Sequence, residues 1–200
     1  MLYGIELAAV AVCAISGVLE AGRKEIDLFG VVVVALVAAL GGGTLRDLLL
    51  GAPIFWIDDQ TYLVAAAAAG VAAFFAARYV RFPRNVFVVP DAAGLALFAV
   101  LGTGKALVLG APWLVASLMG VITGVFGGVL RDVLCNEVPL VFGGQLYATA
   151  AWAGALLFVL LAHYAVDPAW SAPTAIALIF ALRIAALYWK IGLPRFSSRT

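Results

Sequence analysis

The stretch Gly41-Gly42-Gly43-Thr44-Leu45-Arg46-Asp47 returns 85 residues later as Gly127-Gly128-Val129-Leu130-Arg131-Asp132. At the same offset Gln60 and Tyr62 match Gln145 and Tyr147, and between them Pro53 matches Pro139 with one residue of slippage. Upstream the likeness is weaker, with Ser16-Gly17 corresponding to Ala93-Gly94. Chance repeats of Gly, Ala and Leu are expected in an apolar chain. An Arg-Asp pair behind two glycines is not a composition effect, so its recurrence marks an internal duplication.

The surroundings of the two blocks say where they lie. The chain has 200 residues, of which 66% are hydrophobic and 12% charged, and its mean hydropathy is +1.13. Soluble domains carry about 45–50% apolar and about 25% charged residues. Twelve basic and eleven acidic side chains cannot cover a water-soluble globule of this length. Disordered, collagen-like and disulfide-framework classes fall with the same figures. The chain reads as an all-α polytopic membrane protein.

A bilayer core of about 30 Å takes about 20 helical residues per crossing. Runs without charge give seven spans, near residues 2–19, from 28 onward, 61–77, 86–104, 113–134, 146–163 and 170–189. Trp56, Trp113, Trp152, Trp170, Tyr188 and Trp189 fall mostly near span ends, at headgroup depth. The first run has no Lys or Arg before it, so it reads as a mature span and not as a leader.

Seven spans put the termini on opposite sides. One side holds Arg23, Lys24, Arg78, Arg81, Arg84, Lys190, Arg195 and Arg199, and the other holds Lys105. The positive-inside rule then places the N-terminus outside and the C-terminus in the cytoplasm. Each copy of the duplication contains three spans, so the second copy must be inverted relative to the first. Residues 1–85 form the first three-helix repeat, 86–167 the second, and 168–200 a seventh helix with a short basic tail.

Within the spans, Gly41-Gly42-Gly43 interrupts the second, and Gly120, Gly124, Gly127 and Gly128 occupy the corresponding part of the fifth. Each glycine costs about 1 kcal/mol against alanine in a helix. Two readings stay open. Either the helices kink or unwind there and present carbonyls to a cation, or the glycines let helices approach closely. Arg46, Asp47, Arg131 and Asp132 are intramembrane charges, which by default mark function or a compensating pair. Neighbours in a helix do not face each other, so Arg46 is not expected to bond Asp47 directly, and cross-pairing of Arg46 with Asp132 or of Arg131 with Asp47 would use the symmetry. A pair of guanidinium gates and a pair of structural ion contacts are both compatible with this pattern.

Secondary candidates are Ser16, Asp91 and Lys105. Ser16 is a weak pore-lining residue or bonds back to its own helix. Asp91 follows Pro90 and suits a helix cap or a cation, while Lys105 snorkels or projects into a pore mouth. Arg183 lies too deep in the last span to be a loop charge, and its partner must come from another helix or from lipid headgroups. Glu6 and Asp27 read as interface or cap residues. A net charge of +1 gives no reason to expect nucleic acid. Cys13, Cys135 and the single His163 make no metal site, nucleophile pair or catalytic triad. No enzyme and no cofactor is expected, only a permeant potassium or sodium ion.

Ser16-Gly17, Arg23-Lys24-x-x-Asp27-Leu28-Phe29-Gly30, Asp91-Ala92-Ala93-Gly94-Leu95 and the two glycine–Arg-Asp blocks together resemble the prokaryotic TRIC family. These are trimeric intracellular cation channels, also catalogued as a glycine-transporter-like domain, and the likeness covers nearly the whole chain. The resemblance implies two inverted helix triplets plus one helix, assembled as a homotrimer with a pore in each protomer. It further implies conduction of monovalent cations, potassium above all, through pores lined by kinked second and fifth helices. The Lys-Glu-Val tripeptide of eukaryotic members is absent, Asn136-Glu137-Val138 being a superficial echo, so phosphoinositide binding is not carried over. A bacterial or archaeal cell membrane is the implied location, with membrane lipid as a partner. The alternative function is a secondary transporter for a small solute such as glycine, since inverted repeats serve transporters as well.

Overall fold

A computed structural model describes residues 2–24, 26–79 and 86–194. Arg81, Arg84, Arg195 and Arg199, which entered the charge tally, lie outside the described residues, as does Pro83. Among the described residues eight α-helices follow in order: α1 (Leu2–Ala21), α2 (Leu28–Leu49), the single turn α3 (Phe55–Asp58), α4 (Thr61–Tyr79), α5 (Val88–Val108), α6 (Trp113–Leu134), α7 (Ala148–His163) and α8 (Pro168–Tyr188).

Helix starts follow local chemistry where a cap is available. Asp27 accepts from the Gly30 amide before α2, and Asp167 accepts from Ala169 at the start of α8, with Pro168 in the first turn. Six of the long helices are apolar enough to cross a bilayer, while α7 is a shorter apolar helix of 16 residues. Its rise is about 24 Å, less than the hydrocarbon core.

The glycine-rich stretches do not break their helices. Both α2 and α6 run without interruption through Gly41-Gly42-Gly43 and through Gly124, Gly127 and Gly128, so the unwound-helix reading is corrected. The glycines instead allow backbones to touch. A Cβ on Gly42 would run into the Thr123 carbonyl oxygen of α6, and one on Gly127 into the Ala38 carbonyl oxygen of α2. Since 42 and 127, and likewise 38 and 123, are 85 apart, this crossing is reciprocal. It marks where a pseudo-two-fold axis passes between the repeats.

The same offset runs through the helix ends. Gly51 and Asn136 are both left-handed after α2 and α6. The Ala52 amide donates to the Asp47 carbonyl as Glu137 does to that of Asp132. The turn α3 has its counterpart in a 3-10 turn at Leu140–Phe142. A Cβ on Gly17 would lie 3.2 Å from the Val34 carbonyl oxygen, and one on Gly102 would lie 3.1 Å from that of Met119. Gly17 therefore corresponds to Gly102, and the pairing of Ser16-Gly17 with Ala93-Gly94 expected from sequence is more than two helical turns out of register.

At the centre α1, α2, α5 and α6 pack together, with α4 laid against α1 and α2, and α7 and α8 against α5 and against each other. The outer helix α4 buries only Tyr62, Ala66 and Gly70 among its residues. Beyond α8 the chain turns back, and Gln145 bridges Gly192. There the Leu146 amide donates to the Ile191 carbonyl and the Leu193 amide to that of Gly144.

Candidate ion pathway

Two charge clusters flank the central crossing. Arg46 and Arg131 each lie in the last turn of their helix, where a cation meets the negative end of the helix dipole. They are 2% and 1% exposed. Such burial requires partners, and the first one is the neighbouring aspartate. Arg46 Nε donates to Asp47 Oδ1 at 2.7 Å, and Arg131 Nε donates to Asp132 Oδ1 at 2.8 Å. The expectation that these neighbours would not bond directly is overturned, and neither cross-pair forms among the described residues. The long guanidinium folds back along the helix end, and the short aspartate next door meets its Nε.

The second oxygen of each aspartate does another job in both copies. Asp47 Oδ2 accepts from the Phe55 amide at 3.0 Å, and Asp132 Oδ2 from the Leu140 amide at 2.9 Å. These are the first residues of α3 and of the 3-10 turn, so each aspartate anchors the turn that follows its helix. The Arg46 guanidinium also lies over the Phe55 ring, at 5.5 Å from its centroid.

Beyond these shared contacts the clusters diverge. At the first, Lys105 of α5 reaches Asp47 Oδ1 at 2.7 Å. At the second, Arg131 Nη1 donates to Asp91 Oδ1 at 2.6 Å and to Ser16 Oγ at 2.7 Å. Its Nη2 comes within 2.7 Å of Asp132 Oδ1, near enough for attraction but outside hydrogen-bond alignment. The Phe87 ring covers the guanidinium at 5.2 Å.

Asp91 is therefore not a helix cap. It joins α5 to α6 and also accepts from the Tyr147 hydroxyl at 3.2 Å. Its Oδ2 is buried without a hydrogen-bond partner. Ser16 leaves its own helix alone and donates to the Phe87 carbonyl at 3.3 Å. The counterpart contact in the first repeat is Tyr62 donating to Glu6 at 2.5 Å. Glu6 and Asp91 are 85 apart, as Tyr62 and Tyr147 are, so the half-buried Glu6 stands in the place that Asp91 takes in the second repeat.

Between the clusters lies a small chamber of about 10 Å³, lined by Ser16, Gly42, Asp91, Thr123, Gly127 and Arg131 among others. The chamber is a constriction, with little room for water. Gly128 faces its polar wall, where a Cβ would meet the Tyr147 hydroxyl at 3.0 Å and Asp91 Oδ1 at 3.4 Å. A Cβ on Gly124 would lie 2.8 Å from the Leu95 carbonyl oxygen of α5. Gly41 and Gly43 lie off the chamber, against Leu130 and Phe55. On the Asp132 side lies a separate open vestibule of about 1050 Å³, bordered by Glu20, Arg23, Asp132, Glu137 and Arg183 among others.

A protein-family model described as "Glycine transporter" matches twice, at residues 3–78 and 88–163. The two matches are again 85 residues apart. A crystal structure of the TRIC trimeric intracellular cation channel orthologue from Rhodobacter sphaeroides is 37% identical, with a TM-score of 0.91 over 95% of this chain and 98% of that one. The chain belongs to the TRIC family. A prokaryotic TRIC channel solved in 0.5 M KCl is 30% identical, with a TM-score of 0.88 over 96% of this chain and 98% of that chain. The UPF0126 inner membrane protein YadS of Escherichia coli is 39% identical over 98% of this TRIC chain and 97% of its own length. With these relatives and its apolar helices, this TRIC protein is an integral membrane protein.

Of the residues singled out in the sequence, the structure gathers Ser16, Gly42, Asp91, Gly124, Gly127, Gly128, Arg131 and Asp132 around one chamber and its mouth. Arg46, Asp47 and Lys105 form the other cluster. Sequence reasoning missed Glu6, Tyr62 and Tyr147 as polar partners, and Phe55 and Phe87 as ring covers. The acid pair at offset 85 was the available signal for Glu6.

Proposed function

We propose that this protein is a passive monovalent-cation channel, with potassium as its permeant ion and one pore in each protomer of a homotrimer. The pore runs between α2 and α6, through the chamber at their crossing. Its N-terminus lies outside and its C-terminus in the cytoplasm of a prokaryotic inner membrane, as the positive-inside charge tally supports.

One observation carries the reading: a narrow chamber at the crossing of α2 and α6, with Asp91 Oδ2 unpartnered in its wall and a buried guanidinium beside it. In this conformation Arg131 holds the position of a cation, bonded to Ser16 and Asp91. A passing ion would use the same oxygens, so conduction requires Arg131 to give them up. Lys105 on Asp47 plays the corresponding part at the other cluster. Both are cationic plugs on a cation path, and both are built so that the freed carboxylate favours the ion. The likeness to proteins described as cation channels supports a channel over a coupled carrier.

Potassium efflux from proteoliposomes tests this. Flux should follow the imposed gradient with no proton or sodium requirement. Flux equal to that of empty vesicles, or saturable glycine uptake driven by a proton gradient, would overturn the reading.

A further inference from the structure

Cys13 is a residue of the chamber wall that the charge network leaves unused. It lines the chamber together with Ser16, Asp91 and Arg131. Ser16 follows it by three residues on α1, so thiol and hydroxyl lie on one face, a turn apart. Asp91 and Gly94 are likewise a turn apart on α5, and a Cβ on Gly94 would run into the Cys13 sulfur. The thiol is free and makes no hydrogen bond among the described residues. Asp91 adds an unsatisfied oxygen to the same wall. Its side chain is 4% exposed, and its Oδ2 is met by no donor among the described residues.

A sulfur and a free carboxylate oxygen around one narrow space suit a different cation from oxygens alone. Hard cations favour oxygen ligands, whereas a thiolate selects soft ions such as Cu(I), and silver(I) shares that chemistry. Soft monovalent ions also accept few ligands. A chamber of about 10 Å³ has room for a bare ion and not for a hydrated one. Charge balance favours the soft ion too. The thiolate is the metal ligand, so the S–H bond breaks as the sulfur–metal bond forms, and the proton leaves to water. One positive charge enters and one departs, with no electron transferred. The space beside the Arg131 guanidinium thus gains no net charge, whereas a potassium ion, which displaces no proton, adds its full charge there.

We propose that Cys13 and Asp91 form a site for a soft monovalent cation of the cuprous or silver class inside the constriction, with the Ser16 hydroxyl beside them. Cysteine spacing alone reads as no metal site, because the carboxylate is brought in from α5 by folding. An ion held by sulfur at the constriction also blocks the path. That consequence rests on the channel reading above, whereas binding is measured without flux.

The test is thermal unfolding of the purified protein in detergent and chloride-free buffer, with silver nitrate compared with potassium nitrate at equal concentration. Silver also binds an unfolded thiol, so a rise in Tm reports what the folded chamber adds to the sulfur. Silver alone should raise Tm, both in the parent and in Cys135→Ala, whose missing thiol does not line the chamber. The rise should vanish in Cys13→Ser, or in Cys13→Ala should the hydroxyl disturb packing against Gly94. Asp91→Asn should weaken the apparent affinity about tenfold. In proteoliposomes, silver should slow potassium efflux through Cys135→Ala and not through the variant that also carries Cys13→Ala. No rise in Tm with silver, or an equal rise after Cys13 is replaced, overturns the proposal. Potassium flux measured without silver is untouched by either result, so the site and the channel reading fail separately.

Discussion

The two charge clusters began as copies of one sequence and now hold their arginines differently. Both keep Arg on its neighbouring Asp, and both spend the second carboxylate oxygen on the turn that follows. At the first, one carboxylate is shared by two cations, Arg46 and Lys105. At the second, one guanidinium is shared by two carboxylates, Asp91 and Asp132. The residue at the Lys105 position in the first repeat is Glu20, 85 residues earlier. Duplication thus preserved the structural contact and reversed the sign of the local excess charge. A cation moving along the axis would meet a surplus of positive charge at one cluster and of negative charge at the other.

That contrast can be broken most forcefully at Arg131. Arg131→Met strands two buried carboxylates and should cost about 3–5 kcal/mol, whereas Arg46→Met leaves Asp47 with Lys105 and should cost less than half of that. Denaturant unfolding of both variants in the same detergent checks this, and equal losses would show that the clusters are equivalent after all. The crossing should behave in the opposite way. Gly42→Ala and Gly127→Ala push a methyl at equivalent carbonyls, so each should destabilise by about 1–3 kcal/mol and the two values should agree. Lys105→Gln removes a partly exposed cation, so its stability cost should be at most about 1 kcal/mol. Its effect should appear instead as raised potassium flux, and unchanged flux would remove Lys105 from the path.

The smallest effect concerns the strap between the repeats, where Lys24 meets Glu137 at 2.7 Å. The hydrogen bond and charge of Lys24 hold the Glu137 carboxyl below its ordinary value. A depressed carboxyl contributes stability above its unfolded pKa and loses it as the pH falls through the folded value. Acidification below the usual carboxylate range should therefore trim Tm slightly, and Glu137→Gln should abolish that trimming.

Much of the architecture was legible in the sequence because bilayer length, charge-free runs and an 85-residue repeat each constrain it strongly. The Arg-Asp blocks marked both clusters. The details failed where side-chain reach mattered. The rule that helix neighbours do not face each other ignores how far an arginine Nε can fold back onto an adjacent aspartate. The triple glycine suggested a break because propensity was weighed without the neighbouring helix, whose Thr123 carbonyl needs the space at Gly42. Tyr62 and Tyr147 were visible as a repeated pair, but their acceptors, Glu6 and Asp91, depended on a register that the Ser16-Gly17 alignment had misplaced.

The brevity of α7 has a consequence for the surroundings of the molecule. With 16 residues, it matches a hydrocarbon layer about 6 Å thinner than the usual 30 Å. Lipids beside it must shorten, or the helix must be shielded by other protein. Acyl-chain length thereby becomes a mechanical input, felt first at the helix that packs against both α6 and α8.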